Sequence, residues 1–185
     1  KAYVDNAMPK LVTLSQAANA VKATIAEFLA AAEDDTLYEL SGTIISVVNE
    51  TYGNFTIMDD TGEVYIYGLC SPEGVEKYWA ESGAKLGDNI IIKTVRSSYN
   101  GTAQGKNAIF VELAPGTRAF WTFDKTNVNF ASVGGQEIVT IDVYNLTESV
   151  NVDSDNTQFS AKYADGKLTI TAAENTTTEV ISGNI

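Results

Sequence analysis

Residues 54–68, NFTIMDDTGEVYIYG, restrict the fold more than any other stretch of this chain. Beyond the turn Asp59-Asp60-Thr61-Gly62, Val64 and Ile66 alternate with Tyr65 and Tyr67. A period of two sends one set of side chains to a core and the other to the opposite face. Gly62 supplies the turn geometry that side chains resist. The stretch therefore reads as an antiparallel hairpin of NFTIMD (54–59) and EVYIYG (63–68). Tyr65 and Tyr67 then stand side by side on the face away from the aliphatic residues.

The flanking segments extend this pattern. LYELSGTIISVV (37–48) reads as a long strand bent at Gly42, its halves serving two different sheets. SPEGVEKYWAESG (71–83) reads as a helix, with Ser71 as N-cap, Pro72 in the first helical position and Gly83 closing the end. Its apolar face is Val75, Tyr78 and Trp79, which are expected to plug a barrel rather than bind a ligand. NIIIKTV (89–95) and NAIFVEL (107–113) are the last strands, joined by a loop containing Tyr99-Asn100-Gly101. Three strands, a capping helix and two strands is the order of the oligonucleotide/oligosaccharide-binding (OB) fold, a five-stranded Greek-key barrel.

Upstream, Thr24-Ile25-Ala26-Glu27 has capping-box spacing, and Ile25, Phe28, Leu29 and Ala32 form one helical stripe ended by Glu33-Asp34-Asp35. Residues 1–22 are left as an N-terminal arm, of which AANAVK is open to extending that helix. After Pro115-Gly116 the helical period disappears. VNFASV, IVTIDVY, QFSAKY and KLTITAA, punctuated by Gly134-Gly135 and Asp165-Gly166, read as an immunoglobulin-like β-sandwich. VISGNI reads as the middle of a last strand, so the sheet is expected to be incomplete. The expected class is all-β: an arm (1–22), an OB-fold domain (23–114) and a sandwich (117–185).

Composition removes several chemistries. The chain has no His, which excludes Ser-His, Cys-His and His-metal mechanisms, and the single Cys70 excludes an internal disulfide framework. Against 12 basic residues stand 24 acidic ones, a net charge of −12 that disfavours a partner held mainly through phosphates. No apolar run approaches the ~20 residues of a membrane helix. The chain begins at Lys1 without a signal-peptide core and is read as a mature or trimmed fragment. Its richness in Thr, Asn, Asp, Tyr and Gly suits an exported protein.

Two resemblances follow from longer runs. TIAEFLAAAEDDTLYELSGTI, YGNFTIMDDTGEVYIYGL and LGDNIIIKTVRSSYNGTAQGKNA, together covering roughly residues 23–113, resemble OB-fold domains of Bacteroidetes surface lipoproteins. VNFASVGGQEIVTIDV, SDNTQF and AAENTTTE make residues 120–185 similar to a BACON domain, a module found beside glycan-degrading enzymes. The first resemblance implies nucleic-acid or sugar binding by its fold name alone. The second implies carbohydrate attachment or a spacer role. Leu146 and Phe159 stand where tryptophans are common in that family, which weakens an aromatic sugar platform there. Together they imply a cell-envelope location, with membrane contact only through a lipid anchor outside this chain. Asp35-Thr36-Leu37 is similar to the short O-glycosylation motif of such exported proteins.

Each candidate site has a plainer reading beside it. Tyr65 and Tyr67 lie where OB folds stack bases or sugar rings, at ~1–3 kcal/mol per base. Tyrosine is also simply a good strand residue. Tyr99, Asn100 and Gln104 border the same face, although Asn-Gly is first of all a turn former. Arg96 and Lys106 flank that loop and suit a phosphate or an acidic sugar. With five basic against twelve acidic residues between 34 and 114, a solvated pair is the plainer alternative.

Asp59, Asp60 and Glu63 cluster at one turn, but on short wet turns the raised pKa of a general acid is not expected. Asp153 and Asp155 have calcium-loop spacing without the full loop pattern. Arg96 and Arg118 are the only arginines, too few for thermonuclease-type phosphodiester cleavage. The expectation is a non-catalytic binding module without cofactor or metal, engaging a glycan or single-stranded nucleic acid on the Tyr65/Tyr67 face. The alternative is a spacer or protein-interaction module with no polymer ligand.

Overall fold

The computed structural model describes residues 19–185; the N-terminal arm up to residue 18 lies outside them. The chain is all-β with short helices and divides into two units meeting between Thr117 and Arg118.

In the first unit β1 (Val21–Lys22) pairs in parallel with the start of β2 (Leu37–Asn49). The described part of AANAVK, residues 19–22, therefore does not extend the following helix. That helix, α1 (Ile25–Ala30), is capped as its sequence prescribes: Glu27 N–H donates to the Thr24 hydroxyl, and Thr24 N–H donates to the Glu27 carboxylate at 2.8 Å. Ile25 and Phe28 are fully buried. The helix ends at Ala31, so Ala32 lies beyond its stripe.

The remaining strands are β3 (Asn54–Met58), β4 (Glu63–Cys70), β5 (Asn89–Tyr99) and β6 (Thr102–Ala114). They are ordered β2-β3-β4-β6-β5, and β2 also pairs with β5, which closes a five-stranded barrel. β2 serves two neighbours because it hands over at Thr43: residues 37–43 pair with β5 and residues 43–49 with β3. The bend at Gly42 thus joins two neighbours within one closed sheet, not two sheets. A side chain at Gly42 would meet the Met58 carbonyl oxygen at 2.9 Å, so only glycine fits the close crossing. Leu40, Ile44, Phe55, Ile57, Val64, Ile66, Ile90 and Ile92 fill the interior.

The helix expected over 71–83 shrinks to α2 (Trp79–Ser82). The Ser71 hydroxyl accepts from the N–H groups of Glu73 and Val75, as an N-cap would, but the chain closes a turn: Gly74 N–H donates to the Ser71 carbonyl, and Gly74 is left-handed at φ +87°. Val75 is exposed rather than on an apolar face. Of the expected apolar face only Trp79 is buried, with its ring 5.2 Å from Phe55, while Tyr78 meets Phe110 edge-on. α1 caps the opposite opening, next to the β3–β4 turn, so two short elements share the work expected of one helix.

The second unit is one four-stranded sheet, β7-β8-β10-β9, of β7 (Phe120–Phe123), β8 (Gly135–Tyr144), β9 (Phe159–Ala164) and β10 (Lys167–Ala172). The expected sandwich is not formed. VNFASV is irregular, and its Val128 and Phe130 pack with Val152 over the buried Val139, Ile141, Leu168 and Ile170. VISGNI is not a strand either: the Ser182 and Asn184 carbonyls accept from Asn156 and Asp155. Irregular backbone takes the place of a second sheet. No helix among the described residues is long and apolar enough to cross a membrane.

Candidate functional site

The outer face of β4 and β6 carries most of the residues singled out by sequence. Tyr67 on β4 is in register with Lys106 on the parallel β6. Two residues earlier on each strand stand Tyr65 and Gln104, and Tyr65 faces Thr56 of β3. Side chains two residues apart point to the same side. Tyr65, Tyr67, Gln104 and Lys106 therefore form a two-by-two patch on the outside of the barrel, above the buried Val64 and Ile66. Tyr67 is half-exposed; Tyr65 is more enclosed, and burial and the neighbouring Tyr67 push its phenol up, against a hydrogen bond from the Asn54 side chain that lowers it.

The expected loop between the last two strands is a two-residue turn. β5 and β6 pair continuously out to Tyr99 and Thr102, leaving only Asn100 and Gly101, both left-handed, between them. Gln104 is thus a strand residue opposite Ser97, and Tyr99 is a hairpin-end residue, two strands from β4 and 69% exposed. Asn100 is accounted for by the turn. Arg96 is also on a strand, and its guanidinium bonds the Glu33 carboxylate at 3.0 Å, which accepts a second bond from Ser98. The Arg96 charge is thereby neutralised within the barrel.

Where β4 leaves the patch, the ladder is interrupted. Tyr67 pairs with Lys106 and Leu69 with Ala108, while Gly68 and Asn107 between them are both left-handed (φ +87° and +48°). Gly68 N–H turns to the Asn54 side chain instead. A non-glycine residue in that conformation stores strain, which concentrates at functional positions. Around this interruption lies a cavity of about 250 Å³ lined by Tyr52, Tyr67, Glu76, Lys77, Lys106 and Asn107 among others.

Its walls are built by backbone contacts to one residue. Leu69 N–H donates to the Tyr52 carbonyl, and Tyr78 N–H donates to the Leu69 carbonyl, both at 3.0 Å. These bonds bring the 49–53 turn and the 71–78 segment to the same end of β4. There the Lys77 ammonium lies over the Tyr52 ring, 5.0 Å from its centroid. Cys70 beside them is buried, and burial, with the charge of Glu76, pushes its thiol up to about 11, so it is a neutral wall. Of the cavity residues, Tyr67 and Lys106 were legible in sequence; Tyr52, Glu76, Lys77 and Asn107 were not. The misplaced helix over 71–83 hid Glu76 and Lys77, and no spacing rule marks Tyr52 or Asn107.

The carboxylates have structural work. Asp59 accepts from the N–H groups of Ile25, Thr61 and Gly62 and from the Thr61 hydroxyl. Asp155 accepts from the backbone and side chain of Asn184.

No protein-family model matches the chain, and no curated protein does. Among solved structures, the hypothetical protein ygiW from E. coli is similar with a TM-score of 0.37 and 14% identity, over 51% of this chain and 88% of that one. A likeness at that level decides neither family nor function.

Proposed function

We propose that this chain is a non-catalytic binding module that engages an extended glycan on the outer face of its barrel. The observation that carries the reading is the patch of Tyr65, Tyr67, Gln104 and Lys106, contiguous with a polar, aromatic-walled cavity. Aromatic faces beside amide and hydroxyl groups suit sugar rings, which present an apolar face and a rim of hydroxyls. The barrel's strand order supports the OB reading, and OB barrels use this outer surface for polymers. A glycan is favoured over single-stranded nucleic acid because Arg96 is occupied by Glu33, Lys93 faces Glu39, and the chain is strongly acidic. The resemblances to Bacteroidetes surface lipoproteins and to BACON modules support a cell-envelope setting, reached through an anchor outside this chain.

A second reading, a spacer or protein-interaction module, is favoured by one feature of the second unit. Trp121 and Phe123 are exposed on β7 beside an apolar cavity of about 340 Å³. The deciding experiment screens the chain against a glycan array and single-stranded oligonucleotides beside a Tyr65→Ala/Tyr67→Ala variant of equal thermal stability. Glycan binding lost in the variant supports the first reading. Oligonucleotide binding that falls steeply with salt replaces it with nucleic acid. Silence on both arrays favours the second reading.

A further inference from the structure

The geometry points to an acidic sugar as the occupant of the cavity beside Tyr67: a pyranose ring lies on Tyr67, and its carboxylate sits between the Lys106 and Lys77 ammoniums. This rests on the reading of the face as a glycan surface and names the class of residue that its end selects.

Size comes first. At about 250 Å³ the cavity is just under the ~300 Å³ at the small end of small-molecule sites, which suits one ring-sized group of a longer chain. Position follows. Tyr52 has one face covered by Lys77, so Tyr67, half-exposed, is the ring left free to stack. Charge decides the class. Lys77 and Lys106 both line the cavity, and neither makes an ion pair among the described residues, whereas Lys22, Lys93, Arg96 and Lys125 are each paired with a carboxylate.

Glu76 lines the same cavity and pairs with neither lysine. The cavity thus keeps a single net positive charge, matched to a monoanion. Glu76 supplies an acceptor for sugar hydroxyls and disfavours a doubly charged phosphate. Asn107, whose side-chain oxygen lies over Gly68, adds an amide to the same wall. A carboxylate with adjacent hydroxyls and a flat apolar face uses all of these groups; a neutral sugar offers the ammoniums hydroxyl acceptors but no opposite charge.

The test titrates the whole chain with methyl glucuronide, methyl galacturonide, methyl glucoside and inorganic phosphate, followed by amide chemical shifts. The wild type, Lys106→Gln and Lys77→Gln are compared. A uronide should bind roughly two- to fivefold more tightly than the glucoside, the size expected of an exposed charge pair, and each Gln variant should erase most of that preference. Shifts should centre on residues 67, 68, 106 and 107. Equal binding of uronide and glucoside, or variants that keep the preference, would overturn the inference. So would phosphate binding as tightly as the uronides, which marks a general anion site. Neutral oligosaccharides are run in parallel against the Tyr65→Ala/Tyr67→Ala variant. Tyrosine-dependent binding of these without a uronide preference removes the acidic-sugar inference and leaves the glycan face standing. No binding by any sugar removes both.

Discussion

Asp59 receives four hydrogen bonds through its two carboxylate oxygens, one of them from the first N–H of α1, 34 residues earlier in the chain. Thr61 accepts from the next, Ala26 N–H at 3.0 Å, and Thr24 from the third. A hairpin turn thus caps a helix that it neither precedes nor follows directly, and this ties α1 over one end of the barrel. Replacing Asp59 by Ala should cost about 1–2 kcal/mol, the range of a lost cap with its donors still partly hydrated. Chemical denaturation of the variant would measure it. The same contact is pH-dependent. Partial burial raises the Asp59 pKa, but the bonds from Thr61, Ile25 and Gly62 outweigh it and hold it below the ordinary 3.8. A carboxyl more acidic in the folded state stabilises fully above that ordinary value and loses its contribution as pH falls through the folded-state value. Stability should therefore fall below about pH 4, less steeply in Asp59→Asn; equal slopes from denaturation between pH 2 and 5 would refute the assignment.

At the scale of elements, β4 and β6 carry the candidate face, and the ladder of β6 with β5 has a bulge whose repair sits under Lys106. The register shifts between Lys93 and Val95, and the fully buried Thr94 fills the gap. Its hydroxyl accepts from Lys106 N–H at 2.9 Å and donates to the Lys106 carbonyl at 3.0 Å. Thr94→Val keeps the volume and removes both bonds, so it should cost about 1–3 kcal/mol and loosen Lys106, visible as faster amide exchange there. Thr94→Ser should retain the protection. This is also where sequence reading loses resolution. Alternation in 63–68 places Val64 and Ile66 in the core, and Thr24-Glu27 forms its capping box, because both signals depend on neighbours within four residues. The helix over 71–83 fails because Ser71, Pro72 and Gly83 are equally good turn residues, and Gly74 with the Ser71 hydroxyl decides for the turn. The bulge at Thr94 and the cavity walls of Tyr52 and Lys77 depend on bonds to residues nine or more positions away. Local patterns carry no such information. VNFASV fails as a strand for a related reason: its apolar residues are needed as a cover, and a cover packs without pairing.

For the whole molecule, the two units have separate cores of very different size. The barrel buries Phe28, Leu40, Ile44, Phe55, Ile57, Ile66 and Ile90 completely, whereas no residue of the second core is fully enclosed. Cores that share no residue need not melt together, and a single two-state transition is then not expected. The smaller core should unfold first. The chain holds two tryptophans, one per unit: Trp79 is buried against Phe55, and Trp121 is 56% exposed on β7. Trp121→Phe leaves Trp79 as the only indole, so its fluorescence reports the barrel alone. The red shift of Trp79 should occur at higher temperature than the first calorimetric transition. Ile141→Ala, which opens the small core, should lower that first transition by the equivalent of about 2–4 kcal/mol and leave the Trp79 midpoint in place. Ile57→Ala should do the reverse. If both substitutions move the Trp79 midpoint equally, the two cores unfold as one cooperative body, and the expectation of separate transitions is refuted.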